Sequence, residues 1–99
     1  MFVALSQFTI ANGMEAEVKA AFAARPHQVD AVPGFKKLDV ISPCDAPHEI
    51  WLITYWVDRE SFERWHKSPE HKSSHVGIPK GLKLVRDSAK LRYFDHVSE

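Results

Sequence analysis

The sequence predicts an α+β domain of the ferredoxin-like type, in which a four-stranded antiparallel sheet carries two helices on one face. Hydrophobic periods of two and of three to four alternate along the chain in the order β-α-β-β-α-β. The two middle strands are close enough in sequence to pair as a hairpin. With 99 residues, the chain has room for one core, so we expect a single domain over residues 1–99.

The first half of the chain supplies a strand and a helix. Residues 2–10 are rich in strand formers and partly apolar on both sides, which predicts a strand covered on both faces. Residues 11–13 form the turn. Apolar residues then recur every three or four positions, which predicts a helix over residues 14–31 with a kink at Pro26.

The middle of the chain supplies the hairpin. Residues 35–42 and 48–57 read as two strands, separated by a turn with two prolines. In the second of these strands, alternate side chains are expected to face opposite ways: Ile50, Leu52, Thr54 and Trp56 to one side, and Trp51, Ile53 and Tyr55 to the other.

A second helix follows directly. Asp58 is a typical N-cap, and Phe62 and Trp65 form the inner stripe. Residues 68 and 69, Ser-Pro, favour a restart as a further short helix. Residues 77–90 are charged and lack a clear period, so we expect a surface loop that leads into a last strand over residues 88–97.

The composition limits the classes of partner and the cellular compartment that we expect. The formal net charge is zero, which argues against a nucleic-acid or anionic-membrane surface. The single cysteine, Cys44, cannot form an internal disulfide and favours a reducing compartment. The apolar start has no basic region, and no run reaches the roughly 18 residues of a membrane span. We therefore expect a cytoplasmic protein.

The face of the sheet without helices needs a cover. Leu5 and one side of the strand over residues 48–57 are apolar although no helix is available for them. A second copy of the chain is the economical cover, because two-fold dimers are the commonest small oligomers. The sequence thus predicts a homodimer whose two sheets close a barrel with the helices outside.

One segment concentrates the chemically capable side chains. Trp65 is followed by histidines at 66, 71 and 75. Each has a plain alternative, since Trp65 can be a packing residue and His75 a solvated one. His71 and His75 would share a helix face, and this pair could bind a divalent metal if a third ligand were present.

Two motifs carry a family resemblance. The run Val32-Pro-Gly-Phe35 and residues 54–65, TYWVDRESFERW, resemble the antibiotic biosynthesis monooxygenase superfamily of dimeric α+β barrels. The pair Phe62-x-x-Trp65 followed by SPxxKxxH over residues 68–75 is similar to the haem-degrading monooxygenases of that superfamily.

That resemblance implies a monooxygenase that binds haem between sheet and helices and opens the porphyrin with O₂ and electrons from an external donor. It implies His75 as the ligand of the haem iron and Trp65 as the residue that presses on the porphyrin. It also implies a catalytic polar residue on the first strand, where the family has Asn and this chain has Ser6. Phe8 and Phe62 would complete the haem pocket.

Two alternatives remain open at this point. In a cofactor-free oxygenase of an aromatic, polyketide-like substrate, His66, His71 or His75 would act as a base beside a pocket of Phe8, Phe62 and Trp65. In a non-catalytic domain, the same pocket would only bind a small ligand.

Overall fold

We analysed a computed structural model, which describes residues 1–24, 28–68 and 79–99. The elements in chain order are β1 (Phe2–Thr9), α1 (Glu15–Ala23), a 3-10 helix (Gln28–Ala31), β2 (Phe35–Ile41), β3 (Glu49–Trp56), α2 (Arg59–His66) and β4 (Lys90–Asp95). The four strands form one antiparallel sheet in the order β2-β3-β1-β4. This arrangement confirms the predicted ferredoxin-like α+β fold.

The first helix is shorter than the sequence predicted. The prediction of one helix over residues 14–31 is wrong, because α1 ends at Ala23 and the chain at Gln28–Ala31 is a separate 3-10 helix. Pro26 explains the difference, since it has no N–H for the helical ladder and disfavours helical dihedrals at the preceding residue. The predicted ends of the strands differ from the observed ones by at most about two residues.

The two faces of the sheet are set by the strand register. Residues paired across antiparallel strands share a face, and Phe2 pairs with Trp56 while Ser6 pairs with Leu52 and Leu91. We call this side, which packs against α1 and α2, the helix face. The opposite side, the open face, carries Val3, Leu5, Gln7, Ile41, Trp51, Ile53, Tyr55, Arg92 and Phe94. The side-chain alternation predicted for the third strand is confirmed.

Gly34 fixes how α2 meets the sheet. Its φ of +87° is a conformation that only glycine adopts without strain. A Cβ at this position would collide with the side chain of Ser61 and lie 3.1 Å from Val57. The amide of Val57 donates to the Gly34 carbonyl at 2.8 Å. The start of α2 therefore rests directly on the turn before β2.

The loop over residues 79–89 is tied to the end of β1. Leu84 forms a β-bridge with Ile10, and the amide of Val85 donates to the Thr9 carbonyl at 2.8 Å. Leu82 packs on the core beneath α1. Within residues 79–89 the predicted surface loop is therefore confirmed, and these backbone bonds hold it along the end of β1.

Candidate functional site: a cleft between two cores

The helix face carries two separate hydrophobic cores. The first, the aromatic core beneath α2, consists of the buried residues Phe2, Ala4, Trp56 and Phe62. The second, the aliphatic core beneath α1, consists of Ile10, Val18 and Ile50. Each helix thus covers one end of the sheet and fills its own end with side chains.

The middle of the helix face belongs to neither core. Ser6, Leu52 and Leu91 lie side by side on β1, β3 and β4, and none of them is part of either buried cluster. Leu91 remains 43% exposed. Along β1 the interval from Ala4 to Phe8 is about 13 Å at the usual rise of a strand. We call the space above these three residues the cleft.

Ser6 is the polar group on the floor of the cleft. It is half-buried, and its backbone is fixed on both sides by the pairing of β1 with β3 and β4. Among the residues that the structure describes, no hydrogen bond occupies its hydroxyl group. A hydroxyl can both donate and accept, so Ser6 can bind an oxygen or nitrogen atom of a ligand above the sheet.

Trp65 stands at the end of the cleft that α2 covers. Its indole is half-buried and packs against the aromatic core, with its ring 5.5 Å from Trp56 and 6.4 Å from Phe62. Both readings from the sequence are therefore compatible with its position. One side of the ring packs on the core, and its partial exposure leaves area for a ligand.

Phe62 lies deeper than Trp65. Only 3% of its surface is exposed, and its ring contacts Phe2, Trp56 and Tyr93 at 5.5–5.7 Å. This position makes it a core residue first. Phe8, at the other end, is half-buried against the aliphatic core. The predicted contacts of Phe8 and Phe62 with a ligand stay predictions.

Of the three histidines in this segment, the structure describes only His66. His66 is exposed at the end of α2, where its ring stacks on Phe62 at 5.3 Å. His71 and His75 lie outside the described residues, as does the predicted short helix that begins near Ser68. The role of His75 as an iron ligand therefore stays a prediction.

The start of α2 is held by its cap. The carboxylate of Asp58 accepts a hydrogen bond from the Ser61 amide at 2.8 Å, which confirms the predicted N-cap. Hydrogen bonds from the side chain and the backbone of Ser61 lower the pKa of the Asp58 carboxyl. Because Phe62 and Trp65 follow within two turns, this cap also fixes the position of the indole.

Charged side chains lie on the segment that runs along β1. Lys80, Lys83, Arg86 and Lys90 are all exposed. The Arg86 guanidinium has a distant partner in Asp87, at 3.9 Å. Within the described residues no group of three histidine, cysteine or acidic side chains is arranged for a metal ion. The same residues include no helix long and apolar enough to cross a membrane.

Sequence reasoning missed the floor of the cleft. The predicted alternation places Leu52 on the same side of its strand as Trp56, but Leu52 was not recognised as a site residue, and Leu91 was not considered. The signal was present, because a strand that pairs with Ser6 must place a side chain beside it. What the sequence did not reveal is that the two cores stop short of each other.

Comparison with known proteins identifies the family. The family model for antibiotic biosynthesis monooxygenases matches residues 1–76. A haem oxygenase (mycobilin-producing) of Mycobacterium tuberculosis is 27% identical over 75 residues, which cover 76% of this chain and 70% of that protein. This relative is named as an oxygenase, in agreement with the enzyme class that the sequence predicts.

Solved structures support the same assignment at the level of the fold. A haem-degrading protein of M. tuberculosis with two haems bound in its active site aligns with a TM-score of 0.81, at 24% identity over 100% of this chain and 98% of that chain. A cofactor-independent oxygenase of Streptomyces nogalater aligns with a TM-score of 0.75, at 19% identity over 99% and 94%. With the fold, both sequence motifs and the family model in agreement, the chain belongs to the antibiotic biosynthesis monooxygenase family.

Proposed function

We propose that this protein is a haem-degrading-type monooxygenase, with haem as its cofactor and substrate in the cleft. The observation that carries the proposal is the interruption of the helix face between its two cores, over Ser6, Leu52 and Leu91. Sites for planar cofactors are concave and mostly apolar, with a few placed polar groups. The names of the curated relatives point to the same ligand.

The described residues fit a porphyrin in their chemistry. Leu52, Leu91 and Phe8 offer apolar area, and Trp65 offers the face of an aromatic ring. The Ser6 hydroxyl is the one polar side-chain group on the floor formed with Leu52 and Leu91. It is available to hydrogen-bond a small ligand such as dioxygen.

The roles of the residues follow from these properties. When bound, haem supplies the iron that activates dioxygen and the ring that is opened. His75 supplies the imidazole ligand to the iron, and Trp65 fixes the orientation and shape of the ring. The Ser6 hydroxyl would hydrogen-bond dioxygen in the cleft and hold it in position. The apolar leucines exclude water, and an external donor supplies the electrons.

The working form is a homodimer that associates through the open face. Two large side chains there, Ile41 and Phe94, are 47% and 39% exposed, and they lie on the two edge strands β2 and β4. Covering such apolar area with a second copy removes it from water, which is the main driving force for association.

Hemin titration of the purified protein tests the proposal. The wild type is expected to shift and sharpen the Soret band of hemin at one equivalent, and His75→Ala is expected to lose most of that shift. His71→Ala is the matched control, because it removes an imidazole from the same segment and is expected to bind as the wild type does. A wild type without a Soret shift, or one that His75→Ala leaves unchanged, refutes the haem site.

Reduction then distinguishes degradation from binding. With ascorbate and oxygen, the Soret band of the loaded protein is expected to decay as the ring is opened, and to persist when oxygen is excluded. A band that persists in air would mean that the protein binds haem without degrading it.

A cofactor-free oxygenase is the second candidate function. The observation that favours it is that the same fold is found in the cofactor-independent oxygenase of S. nogalater. In this case His66, which lies at the end of α2, His71 or His75 would act as the base for a phenolic substrate. Oxygen uptake with an anthrone substrate, in protein stripped of haem and metal, would establish this function and displace the first.

A further inference from the structure

Aromatic rings form a continuous path from the cleft to the surface. The path begins at Trp65. The centre of its ring lies 5.5 Å from the ring centre of Trp56 and 6.4 Å from that of Phe62. Trp56 lies 5.7 Å from Phe62, and Phe62 lies 5.5 Å from Tyr93. Tyr93 is on β4 and is 41% exposed. One face of the cleft is thereby connected to solvent through rings in van der Waals contact.

The members of this path differ in what oxidation would do to them. Indole and phenol side chains can lose one electron under oxidising conditions, whereas a phenylalanine ring is much harder to oxidise. Trp65 and Trp56 are therefore two adjacent donors, and Tyr93 is a third donor. The ring of Phe62 is the bridge between them.

Proton release decides where the oxidation ends. Among the residues that the structure describes, the buried indole N–H of Trp56 has no hydrogen-bond partner, so none of them is placed as a base for the proton of an oxidised Trp56. The exposed Tyr93 can pass its phenol proton to water. The Arg59 guanidinium lies 4.9 Å from the centre of the Tyr93 ring and disfavours a positive charge there. Oxidation of Tyr93 is thus coupled to loss of its proton.

We propose that this path carries oxidising equivalents out of the cleft to Tyr93. In each event an oxygen-derived radical in the cleft takes one electron from Trp65 or Trp56 and leaves an indole radical cation, which keeps its N–H proton. One electron then moves from Tyr93, across Phe62, to this cation, which returns to the neutral indole. The phenol proton goes to water, and Tyr93 becomes a neutral phenoxyl radical. A one-electron reductant of the ascorbate class, with one proton from water, restores the phenol.

The path and its proposed use rest on different observations. The path depends only on the rings and holds for the protein without any ligand. Its use in protecting the cleft rests on the proposed function, because activation of oxygen there would be the source of stray oxidising equivalents. A test on ligand-free protein therefore separates the two.

Pulse radiolysis in azide solution provides that test, because azide radicals oxidise tryptophan selectively. The chain has three tryptophans and two tyrosines, so Trp51→Phe leaves only Trp56 and Trp65 as indole donors. In this background the indolyl absorption is expected to decay as the phenoxyl absorption grows, at a rate independent of protein concentration. Adding Tyr93→Phe is expected to abolish the phenoxyl signal, whereas adding Tyr55→Phe leaves it unchanged.

Substitutions of the bridging ring and of the two tyrosines decide whether the proposed path exists. Phe62→Leu, which keeps an apolar side chain but removes the bridging ring, is expected to slow the transfer while the protein stays folded by circular dichroism. A phenoxyl signal that Tyr55→Phe abolishes, or that Tyr93→Phe leaves intact, overturns the proposed path. Failure of hemin to bind would leave this result standing and would remove only the suggested use.

Discussion

The two faces of the sheet use the same kinds of side chain in opposite ways. On the helix face, Trp56 and Tyr93 both contact Phe62 within one connected aromatic core. On the open face, the Trp51 indole donates to the Glu49 carboxylate at 3.2 Å, and Tyr55 lies beneath the Lys37 ammonium at 4.7 Å. Neither ring on the open face contacts another aromatic ring within the described part of the chain.

This difference shows how one sheet serves two purposes. The helix face packs its rings against each other and leaves the cleft where the two cores end. The open face gives Trp51 and Tyr55 polar partners and keeps Ile41 and Phe94 exposed on its two edge strands. Exposed apolar side chains mixed with polar groups fit an interface with another protein surface.

The largest expected effect is on the free energy of unfolding, which should fall more for a substitution on the helix face than for one on the open face. Trp56→Ala should lower the free energy of unfolding by about 3–5 kcal/mol, because it removes a fully buried ring from the aromatic core. Trp51→Ala should cost clearly less, since its ring is already half-exposed. Urea denaturation at equal protein concentrations compares the two. A cost for Trp51→Ala that matched Trp56→Ala would mean that the open face is packed as tightly as the core.

A pair of glycines tests how α2 is seated on the helix face. Gly34→Ala should be strongly destabilising, because its Cβ meets Ser61 in addition to the strain of a positive φ. Gly81→Ala is matched in its φ of +83° but meets nothing within 4 Å, so it should cost only about 1–2 kcal/mol of strain. Thermal unfolding of both variants measures the difference. Equal melting temperatures would show that the contact with Ser61 relaxes without cost.

Two substitutions on β4 test whether the two faces of the sheet have separate functions. Phe94→Glu places a charge on the open face and should prevent formation of the proposed dimer in analytical ultracentrifugation. Leu91→Glu places the same charge on the floor of the cleft and should weaken hemin binding with the dimer intact. If both variants changed the same property, the two faces would not be functionally separate.

The smallest expected effect concerns the pH dependence of the α2 cap. Because the pKa of the Asp58 carboxyl is lowered by folding, its contribution to stability is complete above its ordinary value of 3.8 and is lost as the pH falls below it. Asp58→Asn keeps an acceptor for the Ser61 amide but cannot titrate. Its melting temperature should therefore approach that of the wild type between about pH 5 and pH 2. A difference that stays constant over this range would contradict the assignment.

Most of the fold was predictable because local rules and burial agree. The alternation on β3 and the N-cap at Asp58 each follow from residue types at a fixed spacing. The helix predicted over residues 14–31 failed because apolar spacing continued past Pro26 although the proline could not continue the helix.

The cleft was only partly predictable, for a tertiary reason. Ser6 and Trp65 were identified through a resemblance, and both lie on the helix face or at its edge. The floor residues Leu52 and Leu91 look like ordinary core residues in a sequence. Only the packing shows that neither of them belongs to the two buried clusters.

The most direct test of the proposed haem site compares tryptophan substitutions on the two faces of a single strand. Leu52 and Ile53 are neighbours on β3, and their side chains point to the cleft and to the open face respectively. In a hemin titration, Leu52→Trp should fill the cleft and abolish the Soret shift, whereas Ile53→Trp should retain it. Retention of the shift by Leu52→Trp, or its loss in Ile53→Trp alone, would contradict a haem site between the sheet and the helices.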